Sequence, residues 1–341
     1  MASQPIDTKS FHLTAEPQLS SPFFGVLPAE IRNLIYVEFW RLSSSRQHII
    51  LGQYDPMTVL EWSHLPCITD PSAEDIRMAQ YAAENDSASR TVWGARLKSE
   101  WCLHWACEEN RKDHRHTAAT NRAGSIRSST RTGFLDVLRT CKRMYVECLP
   151  SLYSNTTFVF TDTNTAEEFL ALYSKDTGHY PLRSLELCIR AANILTEIYY
   201  PTGGPGSDEG PPAVFAGRAR PFLSMRNNPW QRVCDHLVKL PDLQALRIWF
   251  DSSDLRPWHK RVSETRFFGK LFDVRVPDKR RFVLGLPELP ERRGPDAQLL
   301  EGHYLEGDKL EDAPFTVQRG PRPNNWLIYF HQIGVRQTIG M

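Results

Sequence analysis

Leu182-Arg183-Ser184-Leu185-Glu186-Leu187-Cys188-Ile189 and Leu243-Gln244-Ala245-Leu246-Arg247-Ile248-Trp249-Phe250 decide the fold. Apolar side chains alternate in both, the period of a strand. Both follow the pattern Leu-x-x-Leu-x-(Leu/Ile)-x-(Ile/Phe), and each comes after a helical segment and a short proline-containing turn. Thr165-Ala166-Glu167-Glu168 reads as a capping box that opens the first helix, which carries Phe169, Leu170, Leu172 and Tyr173. Asn228-Pro229-Trp230-Gln231 opens the second, with Val233, Cys234, Leu237 and Val238 inside. A weaker third unit pairs a Phe267–Phe272 helix with a Phe282–Leu286 strand. Helix–strand repetition predicts a parallel sheet with helices on one side.

Working outward, Pro28 to Trp40 has helical spacing, with Pro28 at the first position and Leu27, Ile31, Leu34, Ile35 and Phe39 on one apolar face. Phe134–Leu149 repeats that spacing through Phe134, Leu138, Cys141, Tyr145 and Leu149, with Pro150 as its stop. A short strand is expected at Thr156–Phe160. The helical region 23–160 is interrupted by residues 42–132. Within them Ser72 and Asp75 suggest a capping box. Trp93, Leu97, Trp101 and Trp105 recur every four residues, as along one helix face packed on the main domain. Residues 110–132 turn basic and polar and read as a solvated loop. Residues 1–22 read as an unstructured lead-in. Residues 161–341 form the helix–strand region, with loops at 201–218 and 287–323 and a last strand at Trp326–Phe330. The fold class expected is α+β (mixed α/β).

Bulk properties exclude several function classes. Lys and Arg number 41 against 40 Asp and Glu, so no net field recruits nucleic acid or an anionic membrane. The basic 110–132 segment lacks interleaved aromatics for base stacking, which disfavours nucleic acid as the partner. No apolar run is long enough for a membrane span. The start is polar, with Asp7 and Glu16, unlike a signal peptide. Seven scattered cysteines suit reduced thiols inside a cell, in cytoplasm or nucleus, better than a disulfide framework.

Catalytic signatures are missing. Gly203-Gly204-Pro205-Gly206 lacks the lysine and hydroxyl of a phosphate loop. No nucleophile elbow, zinc-protease helix or carboxylate pair is present. Cys102, His104, Cys107, His114 and His116 form the densest ligand group, but Cys102 and Cys107 point nearly opposite ways on a helix and no Cys-x-x-Cys pair accompanies them. The expectation is therefore a non-enzymatic chain with no catalytic residue, no cofactor, no metal and no small-molecule substrate.

Leu27-Pro28-Ala29-Glu30-Ile31-Arg32-Asn33-Leu34-Ile35-Tyr36 and Leu138-Arg139-Thr140-Cys141-Lys142-Arg143-Met144-Tyr145 resemble the two halves of an F-box. With Glu147, Leu149-Pro150-Ser151-Leu152-Tyr153 and Asn155-Thr156-Thr157-Phe158, they are most similar to a fungal family of uncharacterised F-box-like proteins. The resemblance implies docking on a Skp1-type adaptor through Leu27, Pro28, Ile31 and Ile35, as in a substrate receptor of a ubiquitin ligase. Two alternatives stay open: a scaffold with that fold whose apolar face is core and does not dock, or a nucleic-acid-associated protein using residues 110–132. The helix–strand region resembles degenerate leucine-rich repeats. Its repeats exceed the usual 20–29 residues or so, and Arg190 and Asp251 stand where asparagine or cysteine is usual.

Overall fold

A computed structural model describes residues 13–52, 61–120, 134–175, 180–191, 228–252, 264–287, 310 and 312–320. The expected loop at 201–218, the strand at Trp326–Phe330 and much of the loop at 287–323 lie outside these residues; within that last stretch Thr316–Gly320 is a strand where a loop was expected. So do Arg122, Arg127 and Arg131 of the basic segment.

The fold is mixed α/β. Among the described residues one sheet has seven strands, β1 (Arg46–Gly52), β2 (Glu61–Pro66), β3 (Thr157–Phe160), β4 (Ser184–Ala191), β5 (Ala245–Ser252), β6 (Phe282–Pro287) and β7 (Thr316–Gly320). Their order is β2-β1-β3-β4-β5-β6-β7, with every neighbouring pair parallel except the antiparallel β1–β2 edge. The two sequence repeats pair in the register in which they align. Leu185 lies beside Leu246, Leu187 beside Ile248 and Ile189 beside Phe250. The third unit continues the rows, with Phe282 next to Leu246 and Leu284 next to Ile248.

The apolar rows face α7 (Thr163–Lys175) and α8 (Pro229–Leu237). Leu170 from α7 and Trp230, Val233, Cys234 and Leu237 from α8 join the strand residues in one buried cluster, closed at the far end by Phe267, Phe268 and Leu271. Asn228 caps α8 as its position suggests, its side chain accepting from the Trp230 N–H at 2.9 Å. On α7 the capping side chain is Asp162, which accepts from the Thr165 N–H at 2.7 Å, so the Thr165 box is displaced by three residues.

The N-terminal helix α1 (Ala29–Leu42) packs on α6 (Lys142–Asn155). Pro28 stands at the N-cap position, one residue before α1 rather than at its first position, and makes no side-chain cap. The expected Phe134–Leu149 helix is two helices, α5 (Phe134–Leu138) and α6, because Cys141 adopts an extended backbone and caps α6 by accepting from the Met144 N–H. Pro150 sits inside α6 and removes only the N–H that would bond the Val146 carbonyl; it does not end the helix.

The interrupting segment is part of the sheet. It supplies β1 and β2, then α2 (Arg77–Ala83), α3 (Ser87–Leu97), a 3-10 turn (Cys102–His104) and α4 (Trp105–Thr120). The Ser72–Asp75 box does not form: Asp70 turns onto Ser72 and Asp75 pairs with Arg77, where α2 begins. The tryptophan series does not share one helix, since the chain breaks between α3 and the turn, with Cys102 at φ 49. Trp93 and Trp105 instead come from two helices and hold Arg96 between them, 4.4 and 4.5 Å from the ring centres. Leu97 and Trp101 are buried. Helix α4 runs to Thr120, so the first half of the 110–132 segment is helical where a loop was expected.

This segment covers the sheet face opposite α7 and α8, so the helices are not all on one side. On β4, Leu185, Leu187 and Ile189 point to the main core. Glu186, Cys188 and Arg190 point the other way. Glu186 meets His104, the Cys188 thiol bonds the Trp101 carbonyl, and Arg190 bonds the carbonyls of Leu97 and Ser99. Nearer the far edge the same face carries Trp249, whose ring lies over Gly285 and Gly320. A Cβ on Gly285 would stand 2.2 Å from that ring and one on Gly320 2.7 Å.

Candidate functional site

Two features stand out, one exposed and one buried. The exposed one is on α1. Its buried residues are Arg32, Tyr36 and Trp40, one helical row directed at α6. Arg32 forks onto both carboxylate oxygens of Glu147, with Nη2–Oε2 at 3.0 Å, and Nη1 donates back to the Leu27 carbonyl. The Tyr36 hydroxyl donates to Glu147 at 3.2 Å, and the Trp40 indole N–H to Ser151 at 3.3 Å. Burial works against ionisation of Glu147, but Arg32, Tyr36 and Arg143 outweigh it and hold the carboxyl below the usual carboxylate range. Tyr36 is pushed up by burial and by the Glu147 charge.

That joint explains the sequence signature. Arg32 and Tyr36 of the first motif half meet Glu147, just after the second, at the α1–α6 junction, and Cys141 of the second caps α6. The apolar residues of the first half are left outside. Ile31, Leu34 and Ile35 are 43%, 59% and 42% exposed. Pro28 is exposed and Leu27 half-buried. The helix face Leu27–Ile31–Leu34–Ile35 is therefore not the face that packs on α6; Phe39 alone of that row packs against the α1–α6 cluster. Periodicity singles out the outward face because it counts apolar residues. The face that packs uses an arginine, a tyrosine and a tryptophan, each carrying a polar group that finds a partner.

The buried feature joins four residues: His48 from β1, Cys67 just after β2, His104 from the 3-10 turn and Cys107 from the first turn of α4. All four are buried, and one ligand atom from each lies within 4.8 Å of the others. The Cys67 and Cys107 sulfurs are 3.9 Å apart, and Cys67 Sγ is 3.3 Å from His104 Nδ1. Cys107 Sγ accepts from the Ile68 N–H at 3.4 Å and lies 3.2 Å from the Thr69 hydroxyl. His48 stacks on Trp101 and meets His104 edge-on, both at 4.8 Å between ring centres. Its ring stands close to Cys107, yet neither ring nitrogen has a hydrogen bond of acceptable geometry.

Electrostatics around the cluster follow from that packing. Burial drives His48 toward the neutral form. Burial opposes ionisation of Glu186, but His104 and Arg46 together hold its carboxyl at about 2. Its oxygens reach His104 Nε2 at 3.0 Å and Arg46 Nη2 at 2.5 Å. Cys107 is lowered by its contact with Cys67 first and then, against burial, by the two imidazoles; Cys67 is raised by that contact and by burial.

Of the sequence set weighed for a metal, only His104 and Cys107 converge. Cys102 is buried outside the cluster, and the side chains of His114 and His116 lie outside the described residues. His48 and Cys67 carried no sequence signal: Cys67 precedes His104 by 37 residues and Cys107 by 40. Only the local His104-x-x-Cys107 spacing, which places both groups on one side of a helix start, could have flagged half of the cluster.

Among the described residues no helix is long and apolar enough to cross a membrane. Comparison with curated proteins gives no match, and neither does comparison with solved structures. Comparison with protein families does give one, over residues 16–299, and the chain belongs to that family, described as a domain of unknown function (DUF7730).

Proposed function

We propose that the chain is a non-enzymatic protein-interaction module acting inside the cell, in cytoplasm or nucleus, and that α1 is its docking helix. The observation carrying this reading is the inverted packing of α1. Three large apolar side chains at helical spacing, Ile31, Leu34 and Ile35, face solvent while polar-tipped residues make the helix–helix joint. Exposed apolar rows of this kind are costly to keep in water and suit a helix that is covered by a partner. Val26 and Leu42, at 77% and 88% exposure, extend the apolar surface at both ends of the helix.

The partner that fits best is a Skp1-type adaptor, because the residues left outside are those that the F-box resemblance assigns to docking: Leu27, Pro28, Ile31 and Ile35. The fungal F-box-like proteins share both motif halves, and in this reading the sheet region, with its leucine-rich-repeat-like strands, carries the target of a ubiquitin ligase. The interrupting segment lies against β4, on side chains remote from α1 in sequence, and leaves Ile31, Leu34 and Ile35 open.

Co-purification tests this. The intact chain is expected to capture a Skp1-type adaptor, and the Ile31→Asp/Ile35→Asp variant to lose at least tenfold of that capture while keeping its circular dichroism spectrum. Failure of the wild-type chain to bind the adaptor, or equal capture by the variant, overturns the reading.

A further inference from the structure

We propose that His48, Cys67, His104 and Cys107 form a structural zinc site that fastens the interrupting segment to the sheet. This inference does not depend on the docking reading of α1.

Four lines of geometry and chemistry support it. First, the donor set fits. Two thiols and two imidazoles are the Cys2His2 set that zinc takes in closed, four-coordinate sites, and they disfavour calcium and magnesium, which prefer oxygen. Second, the spacing fits. Zinc bonds of about 2.3 Å to sulfur and about 2.0–2.1 Å to nitrogen place tetrahedral donors about 3.4–3.8 Å apart. The sulfur pair at 3.9 Å and the Cys67–His104 pair at 3.3 Å already stand near those edges. A disulfide between the same cysteines would need about 2.05 Å.

Third, the charge fits. Two thiolates and a divalent ion sum to zero, so a neutral unit would occupy this dry interior, where a lone thiolate is costly. His48 has both ring nitrogens buried without a hydrogen bond. A buried polar atom without a partner is costly unless something takes its lone pair.

Fourth, the surroundings are those of a ligated site. The Glu186 carboxylate accepts from His104 Nε2, which leaves the Nδ1 lone pair aimed at the cluster, and Arg46 holds Glu186 in turn. The Ile68 N–H donates to Cys107 Sγ and the Thr69 hydroxyl lies 3.2 Å from it, in place to donate to a bound thiolate. All four ligands are buried, with no open position for a substrate, so the role is structural. The ligands come from β1, the end of β2, the 3-10 turn and α4. One ion there would tie the edge hairpin to the helices that cover β4.

The test uses the full chain, purified under reducing conditions with zinc in the growth medium. Elemental analysis is expected to find one zinc per chain. Replacement by cobalt(II) is expected to give the intense visible bands of a tetrahedral site together with thiolate charge-transfer absorption. Cys107→Ser should lower zinc retention at least tenfold in chelator competition, and Cys141→Ser, at the α6 cap, should leave it unchanged. Should the ligand variants not fold, two further measurements decide. Glu186→Gln, which changes only the positioning residue behind His104, should weaken zinc binding about 10–100-fold. In the wild-type chain, alkylation of Cys67 and Cys107 should be slow with zinc and at least tenfold faster after chelation. A folded chain without zinc, a Cys67–Cys107 disulfide in the purified protein, or alkylation rates indifferent to chelator would each overturn the proposal.

Discussion

The two faces of the sheet are covered by different chemistry. On one, α7 and α8 meet Leu185, Leu187, Ile189, Leu246, Ile248 and Phe250, and the contact is almost wholly apolar. On the other, the interrupting segment meets Glu186, Cys188 and Arg190 through ion pairs, thiols and backbone carbonyls. The apolar face gains its stability from area removed from water, about 25 cal/mol per Å2 and without directionality. The polar face gains little net energy per contact, but every buried group must be satisfied, so it fixes position. Helix α1 follows the second style, with Arg32, Tyr36 and Trp40 making its joint.

Substitutions can break this contrast, and the largest effect belongs to the apolar face. Trp230 is fully buried, stacks 5.7 Å from Phe267 and donates its N–H to the Phe267 carbonyl. Trp230→Ala should cost about 3–5 kcal/mol, read as a lowered denaturant midpoint. Next comes the glycine slot on the opposite face. Gly285→Ala must displace the Trp249 ring, and a loss of about 1–3 kcal/mol is expected in the same assay. The double variant Gly285→Ala/Trp249→Ala should recover part of it, since the two residues touch.

A smaller effect is expected at the α1–α6 joint, where it depends on pH. Glu147 is held below its ordinary value of 4.5, so its contribution is complete above that pH and is lost as pH falls through the lower folded value. Glu147→Gln should therefore cost about 1–2 kcal/mol near neutral pH. The gap between variant and wild type should close as the solution is taken below about pH 4.5. A gap that persists unchanged in acid would mean that the Arg32–Glu147 charge pair is not its source. The smallest effect on stability is expected from Ile31→Asp, within about 0.5 kcal/mol, because that side chain already faces water.

The apolar face was legible in the sequence, and the polar one was not. Strands β4, β5 and β6 announce themselves through alternation, and even their register follows from aligning the two repeats. Asn228-Pro229 marks the start of α8 because capping chemistry is local. Strands β1 and β2 escaped notice because Arg46, Gln47, His48, Glu61 and His64 interrupt their alternation, and Arg46 and His64 meet partners distant in sequence, Glu186 and Gln47. The same reason hides the His48–Cys67–His104–Cys107 cluster. On α1 the apolar period was legible, but periodicity cannot say whether an apolar row meets the core or a partner. The Arg32–Glu147 pair, separated by 115 residues, decides that.

The central claim is that α1 turns its apolar row outward, and thermal denaturation of Ile31→Asp/Leu34→Asp/Ile35→Asp tests it most directly. An exposed row predicts a midpoint within about 3 °C of wild type and an unchanged cooperative transition. A fall of more than about 10 °C, or loss of the transition, would mean that these side chains are core and contradict the account.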